Sequence, residues 1–247
     1  MTRLKAFALH FLISLLVFSL FIFVLLNLWF PEPFFSASGG IQGLKLVTLV
    51  DVVLGPLMTL VVFNPQKPKT ELKRDLSIIF ILQITALIWG VHTVYQQKPV
   101  AVVYFEDSLV TVPRKELLDG NPSSPQLQEI INNPGGFYYI EKPTTPEGMK
   151  KLLDRVVTSK APPHHQVDLY RDFENFFPLI SKNSLDIEEI ITQNPEMREQ
   201  LAEKLGKDFE NRDQYIYIPI KSKYRNIILI FTSSGTQKGY ILAPYKK

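Results

Sequence analysis

The sequence contains no cysteine among its 247 residues. This absence excludes disulfide bonds, thiolate catalysis, zinc sites with cysteine ligands, iron–sulfur clusters and a lipid anchor on an N-terminal cysteine. It does not assign the chain to a compartment, because a domain of about 150 residues buries enough apolar surface to fold without cross-links.

A basic face is also missing, although the net charge is +3 and the sequence pI is about 8.9. The whole excess of positive charge lies in the segment up to Tyr95, and the residues after it carry 20 basic and 20 acidic side chains. A neutral soluble part offers no basic surface to phosphates, so nucleic-acid binding is excluded.

Motifs that carry catalysis are absent too: there is no phosphate loop, dinucleotide fingerprint or nucleophile elbow. The sequence has only four histidines, and the adjacent pair His164 and His165 would point in different directions on a helix. Such a pair is a poor metal site, so we interpret both as surface capping residues. We therefore expect no enzymatic activity, no metal and no cofactor.

Three long apolar runs are the most prominent feature that is present, at residues 6–30, 44–63 and 76–95. The first run has no formal charge and would be roughly 37 Å long as a helix, enough to cross a ~30 Å hydrocarbon core. A cleaved signal peptide with a site at Ser36-Ala37-Ser38 is the alternative, but this run exceeds the ~7–15 residues of a signal core. We predict three membrane spans.

The distribution of lysine and arginine orients these spans. Arg3 and Lys5 precede the first run, the loop at residues 64–75 carries four cations, and residues 31–43 carry none. By the positive-inside rule, the N-terminus and the 64–75 loop are cytoplasmic, and everything after Tyr95 lies outside the cytoplasm. Two units are thus expected: a three-span membrane domain at residues 1–95 and a periplasmic domain at residues 96–247.

In the second unit, the spacing of apolar residues changes from a mainly helical period to a strand-like period in the last third. Helices are predicted at residues 124–131, 146–157, 165–177 and 185–205, the last broken at Asn194-Pro195. Strands are predicted at residues 99–105, 108–112, 137–140, 214–220, 226–232 and 238–242, and the final three form an antiparallel β-meander. The predicted fold class is three transmembrane α-helices followed by an α+β soluble domain.

Three local features of this domain give more specific predictions. Met149, Leu152, Leu153 and Val156 form one apolar stripe, which predicts a core-facing helix. Pro219 cannot donate a ladder hydrogen bond, so we expect it at a sheet edge or a bulge. Gly206 follows the last helix, where a glycine commonly ends it.

Asp51 is the most unusual residue of the membrane part. A carboxylate within a span costs roughly 2.5–3.5 kcal/mol, and Gly55 and Pro56 would loosen the helix just after it. Two interpretations are open: a bond to Gln83, Thr85 or His92 of the third span, or contact with a partner's membrane helix. In the second, Asp51, Gly55 and Pro56 form the partner contact. His10 and His92 also lie in spans, where they either bond between helices or have a function.

Several segments of the chain form distinctive motifs. In the membrane part these are residues 3–15, Leu49-Val-Asp-Val-Val-Leu-Gly-Pro-Leu57, Val62-Phe-Asn-Pro65 and Glu71-Leu-Lys-Arg-Asp-Leu76. In the soluble part they are Gln97-Lys-Pro-Val-Ala-Val-Val-Tyr104 and Gly239-Tyr-Ile-Leu-Ala-Pro244. With these motifs the chain resembles the TfpX/TfpZ family of type IV pilin accessory proteins. The 64–75 loop thereby carries four residues of family motifs, Asn64, Pro65, Arg74 and Asp75. Residues 137–181 depart most from the family.

The resemblance implies a multi-pass inner-membrane protein of a piliated Gram-negative bacterium that supports pilin stability or pilus assembly without catalysing a reaction. Its implied partner is a type IV pilin, which presents a free or methylated N-terminal amine on an apolar membrane helix, with a periplasmic head. A membrane-anchored periplasmic sensor of a small ligand is the alternative, although the cytoplasmic tail and loop are too short for an output domain. An enzyme acting within the membrane is the third.

Overall fold

The computed structural model describes residues 1–30, 33–34, 44–45, 47–120, 124–222 and 225–245. The chain divides into two compact units, with the division between Gln96 and Gln97. The first unit is helical and the second combines helices with a sheet. The possible cleavage site at residues 36–38 lies outside the described residues.

Two helices of the first unit are long and apolar enough to cross a membrane. Helix α1 (Arg3–Val24) continues as a π-helical turn to give 27 residues up to Trp29, and helix α3 (Lys69–Gln96) has 28 residues. Between them, a π-helical segment (Thr48–Leu54) leads into helix α2 (Gly55–Val62). These two segments hold 15 residues, roughly 22 Å, which is shorter than a ~30 Å hydrocarbon core. The first and last predicted spans thus agree with candidate membrane helices, and the predicted second span is a shorter apolar helix.

Contacts within this unit define the direction of each helix. His10 near the start of α1 bonds to Thr59 near the end of α2, so these helices are antiparallel. The rings of Trp29 and Tyr95 lie 5.1 Å apart, so α1 and α3 end together. The cations of the N-terminal tail and of the 64–75 loop therefore lie at the opposite end from this aromatic pair.

The second unit is built on a seven-stranded mixed sheet with the order β4-β3-β1-β2-β5-β6-β7. The first hairpin turns at Glu106 and Asp107, both with positive φ, as a tight primed turn requires. β3 pairs parallel to β1, and β2 pairs parallel to β5. The strands are β1 (Pro99–Phe105), β2 (Ser108–Pro113), β3 (Gly136–Ile140), β4 (Tyr170–Asp172), β5 (Ile216–Lys221), β6 (Arg225–Phe231) and β7 (Gln237–Tyr245).

Helices cover this sheet in two groups, each with its own apolar core. The first core joins β1, β2 and β3 to the helices that follow them, and the second joins β5, β6 and β7 to the two last helices. Rings of Phe137, Phe173, Phe177 and Phe231 form an aromatic cluster, with centroids 5.4–5.9 Å apart. The helices are α4 (Arg114–Gly120), α5 (Pro125–Asn132), α6 (Pro146–Thr158), α7 (Phe173–Ile180), α8 (Ile187–Gln193) and α9 (Pro195–Leu205).

The predicted C-terminal meander is confirmed, since β5 pairs with β6 and β6 with β7, both antiparallel. The break before Pro195 is confirmed as well, and Gly206 has φ +55° after α9. Pro219 lies in β5, an internal strand without a bulge, so its predicted position at a sheet edge or bulge is wrong. However, β2 pairs with β5 only at Ile220 and Lys221, so no neighbour needs the missing N–H of Pro219 on that side.

The helix predicted over residues 165–177 is wrong. Short 3-10 turns (Pro163–His165 and Val167–Leu169) lead into strand β4, and the helix begins only at Phe173. Pairing of β4 with β3 and burial of Tyr170 in the first core override the local helical pattern.

The stripe predicted on α6 is only partly buried. Leu152 faces the core and Val156 packs against it, but Met149, Leu153 and Val157 are 37%, 53% and 76% exposed. These three residues are spaced by four and therefore share one helix face. α6 thus has an apolar face that the second unit does not cover.

Candidate functional site

The helix around Asp51 is wound differently from an ordinary α-helix. Thr48–Leu54 is π-helical, and the N–H of Gly55 donates to the carbonyl of Val50, five residues earlier. The next donor in this pattern would be residue 56, which is a proline and has no N–H. The main-chain carbonyl of Asp51 is therefore left free, and Gln83 Nε2 of α3 donates to it at 3.4 Å.

The Asp51 carboxylate is not part of that bond. Among the residues that the structure describes, it has no hydrogen-bond or ion-pair partner. Of the three side chains considered as partners, Gln83 bonds to the main chain, whereas Thr85 and His92 are exposed on α3. An unpaired carboxylate in an apolar surrounding is costly, so this group is available to a further donor.

Asp51 lines a cavity of about 130 Å³, whose walls come from α1, α3 and the segment that holds Asp51 itself. His10, Ser14 and Gln83 are its other polar lining residues, and the rest of the lining is apolar. Four apolar lining residues are also well exposed, which means that the cavity opens at the side of the helical unit. These are Ile13, Val17, Phe80 and Ile84.

Gly55 and Pro56 are placed differently from the partner contact predicted for them. Both are buried inside the unit, so they are not available to a partner. A Cβ atom on Gly55 would lie 1.8 Å from Gln83 Nε2, so the glycine is needed for the close approach of α3. Pro56 acts through the carbonyl that it leaves free.

Two of the four motif residues of the loop, Asn64 and Asp75, fix the turn between α2 and α3. Asn64 Oδ1 accepts from the Gln66 N–H at 3.1 Å, a side-chain turn that precedes α3. Lys67 Nζ lies 2.8 Å from Asp75 Oδ2, which ties the turn to the first turns of the helix. Pro65 and Arg74 are exposed, and the Arg74 guanidinium is 3.8 Å from Asp75.

Two histidines differ from their interpretation as surface caps. His165 Nε2 lies 2.9 Å from Glu116 Oε2, and the His164 ring packs between Phe105 and His165. His164 Nδ1 is buried without a hydrogen-bond partner among the described residues. Burial lowers the pKa of His164 to about 4, and the bond from His165 lowers the pKa of Glu116.

In the first unit, His10 bonds between helices: its Nδ1 lies 2.6 Å from Thr59 Oγ1. His92 is exposed on α3. Across the described ranges, no group of three or more histidine and acidic side chains is arranged to hold a metal ion. Ser14 was not expected from the sequence, whereas the Gly55-Pro56 pair had indicated freed main-chain carbonyls in this segment, of which Asp51 provides one.

Comparison with known proteins relates the chain to fimbrial assembly. The family of "Fimbrial assembly protein FimB" matches residues 1–39. The "Fimbrial assembly protein, serogroups C1 and C2" of Dichelobacter nodosus is 35% identical over 114 residues, which cover 46% of this chain and 87% of that protein. No solved structure matches the chain.

Two further relatives from Dichelobacter nodosus are longer. The fimbrial assembly proteins of serogroup I and serogroup E1 are 34% and 33% identical over 114 residues. In both cases the match covers 46% of this chain and 44% of the relative, so the chain spans less than half of their length. The resemblance to type IV pilus accessory proteins is thereby confirmed. The chain belongs to the FimB family of fimbrial assembly proteins.

Proposed function

We propose that this protein is an inner-membrane accessory protein that holds a type IV pilin during pilus assembly, as a chaperone or scaffold and without catalysing a reaction. Membership in a family of fimbrial assembly proteins supports the role in assembly. The single observation that carries the mechanism is the unpaired Asp51 carboxylate in a cavity that opens sideways between two long apolar helices.

In this proposal the chain crosses the membrane three times. The antiparallel contact of α1 with α2 and the common end of α1 and α3 support a return through the membrane between them. The cations of the tail and of the 64–75 loop then face the cytoplasm together, and the second unit is periplasmic. A pilin with a membrane helix and a periplasmic head would meet both units.

The pilin helix would enter the cavity from the side. Ile13, Val17, Phe80 and Ile84 form its apolar rim, which suits an apolar helix that moves within the bilayer. The amine of a pilin helix and the Asp51 carboxylate are each costly when buried alone and less costly as a pair. Asp51 would therefore hold the pilin at its charged end and release it when the amine finds another partner.

The second unit would contact the pilin head through α6. The face formed by Met149, Leu153 and Val157 is apolar and exposed, as is typical of a surface that meets another protein. It lies within residues 137–181, the part that departs most from the family resemblance. We therefore expect this face to contribute to the choice between pilins.

Photo-crosslinking in intact cells tests the cavity directly. A benzoylphenylalanine at Ile84, on the rim, should capture the pilin, because it would lie against the bound helix. The same group at Leu82 is the matched control, since Leu82 is 57% exposed on the same helix but does not line the cavity. Equal capture of pilin from both positions, or capture of none, would argue against the proposed site.

A deletion strain tests the function itself. Loss of the protein should lower the number of surface pili and the level of its matched pilin, while the processing of pilin precursor stays intact. Normal piliation in the deletion strain, with each pilin that the organism makes, would favour a membrane-anchored sensor of a small ligand.

A further inference from the structure

A second cavity, of about 430 Å³, lies in the soluble unit and has no role in the function proposed above. Its walls come from the segment after β3, from α6 and from the 3-10 turns that precede β4. Its lining is rich in charge, with four cationic and two acidic side chains. The volume is in the range of small-ligand sites in proteins.

Two of the cations are neutralised by the two acids. Arg155 Nη1 lies 2.6 Å from Asp168 Oδ1, and Arg171 Nε lies 2.7 Å from Glu141 Oε2. Both guanidinium groups are also fixed by main-chain carbonyls: Arg155 donates to Gly120, and Arg171 donates to the two carbonyls of residues 168 and 170. These pairs form a rigid polar frame.

The other two cations, Lys142 and Lys151, leave the cavity with an excess of positive charge. Within the described ranges neither has an ion-pair partner, and the Lys142 ammonium lies 5.0 Å from the centre of the Phe105 ring. Since the surrounding acids are already paired, an anion is the missing counterpart of these two side chains.

Gln166 adds a hydrogen-bond acceptor to the cavity. The residue is 1% exposed, and its Nε2 donates to the Ala161 carbonyl at 2.8 Å. Its side-chain carbonyl accepts no hydrogen bond from the described residues. This oxygen can therefore accept a hydrogen bond, and a ligand that brings a hydroxyl or amine would supply the donor.

We propose that this cavity binds a small anionic ligand, which carries a phosphate or carboxylate next to a hydroxyl or amine group. The anionic group lies between Lys142 and Lys151, and the neighbouring donor bonds to Gln166. The site makes the periplasmic unit a ligand-binding domain in addition to a surface for a protein partner. It depends on neither Asp51 nor the pilin.

Calorimetric titration of the full-length chain in zwitterionic detergent tests this site with three probes. Glycerol 3-phosphate offers both groups, inorganic phosphate only the anion, and glycerol only the hydroxyls. We expect saturable binding of glycerol 3-phosphate, weaker binding of phosphate and no binding of glycerol. Absence of saturable binding by glycerol 3-phosphate and phosphate would overturn the proposal.

Variants connect the binding to the cavity. Lys142→Gln and Lys151→Gln should each weaken glycerol 3-phosphate binding roughly fivefold, the effect of one partly exposed charge pair. Lys150→Gln is the matched control, because Lys150 is exposed on the same helix but does not line the cavity. Equal loss in the Lys150 and Lys151 variants would show unspecific attraction to surface lysines and contradict the site.

The same chemistry occurs in lipid headgroups, so the titration is repeated in nanodiscs. If phosphatidylglycerol supplies the ligand, glycerol 3-phosphate binding weakens in phosphatidylglycerol discs relative to phosphatidylcholine discs, and Lys151→Gln removes the difference. If the ligand is a free molecule, both discs give the same affinity. Either result supports the site, and a difference between discs that persists in Lys151→Gln contradicts it.

Discussion

Gln83 donates to the main-chain carbonyl of Asp51, at 3.4 Å, and leaves the Asp51 carboxylate without a partner among the described residues. The main-chain carbonyl and the side-chain carboxylate of Asp51 therefore have different roles. The carbonyl, freed by Pro56, joins α3 to the π-helical segment, and the carboxylate lines the cavity. The helical unit can thus be assembled without the charge, which separates its stability from its proposed partner contact.

This separation gives a prediction for Asp51. Asp51→Asn and Asp51→Leu keep the main-chain carbonyl, so both variants should insert and accumulate normally. Because they remove the charge that would pair with the pilin amine, surface pili should fall to the level of the deletion strain. Immunoblots of membranes and counts of sheared pili measure the two effects.

Thr85→Val is the control for this pair, since Thr85 is an exposed polar residue of α3 that does not line the cavity. It should leave piliation unchanged. Full piliation in the Leu variant at normal abundance would dismiss any role of the carboxylate. Loss of protein, or protease sensitivity, in both Asp51 variants would instead indicate a bond within the helical unit.

Gly55 provides a test of the carbonyl's task. Gly55→Ala places a methyl group on the Gln83 amide, so it should break the bond to Asp51 and lower the thermal stability of the helical unit. Gln83→Ala in addition removes the clash, and the double variant should be no less stable than Gln83→Ala alone. Both tryptophans, Trp29 and Trp89, lie in this unit, so their fluorescence follows its unfolding.

Gly90→Ala is the matched control, because nothing lies within 4 Å of an added Cβ atom on this glycine of the same α3 helix. It should stabilise the helix by up to about 1 kcal/mol, the ordinary difference in helix propensity. A fall in melting temperature for Gly90→Ala equal to that for Gly55→Ala would mean that any added methyl group disturbs the unit.

The proposed orientation predicts the location of two fusion points. A fluorescent protein that folds only in the cytoplasm should be bright when fused after Lys69 and dark when fused to the C-terminus, since positive loops stay inside. Cell fluorescence, normalised to the amount of fusion protein on immunoblots, measures the difference. The reverse pattern would exclude both the orientation and a contact with the pilin head.

Local sequence patterns correctly predicted the elements that depend mainly on neighbouring residues. The meander follows from alternating runs between turns, and the break at Pro195 from a missing N–H. The sequence could not reveal that β4 would replace the start of a predicted helix, because that depends on pairing with β3, about 30 residues earlier. The exposure of the apolar face of α6 could not be predicted for the same reason. A helical period identifies the apolar face of a helix but not whether another element packs against it.

The candidate site shows the same limit. Asp51 was evident from the sequence, because a charge in an apolar run is costly anywhere in it. Which neighbours meet it depends on the rotation of α3, and this rotation brings Gln83 to the carbonyl and turns Thr85 and His92 outward. Gly55, expected to meet a partner, meets Gln83 instead.

The partly buried His164 makes the stability of the second unit depend on pH. Its pKa is lowered from 6.5 to about 4, chiefly by burial. Between pH 6.5 and pH 4 the imidazole is therefore protonated in the unfolded chain but stays neutral in the folded unit. Stability therefore falls as the pH decreases from 6.5 to about 4, by about 2 kcal/mol. Glu116 acts in the same direction at lower pH: its pKa is lowered below 4.5 by the bond from His165, and its contribution disappears only when the carboxylate is protonated.

His164→Phe keeps a ring between Phe105 and His165 but cannot be protonated. We expect the melting temperature of the variant to change less than that of the parent protein between pH 7 and pH 5, and both to fall below pH 4.5 as Glu116 is protonated. Tyrosine circular dichroism follows the soluble unit, because nine of the ten tyrosines lie after Gln96. Glu116→Gln is the second arm, and it should flatten only the lower range. An unchanged slope between pH 7 and pH 5 in His164→Phe would show that other groups control the acid sensitivity of this unit.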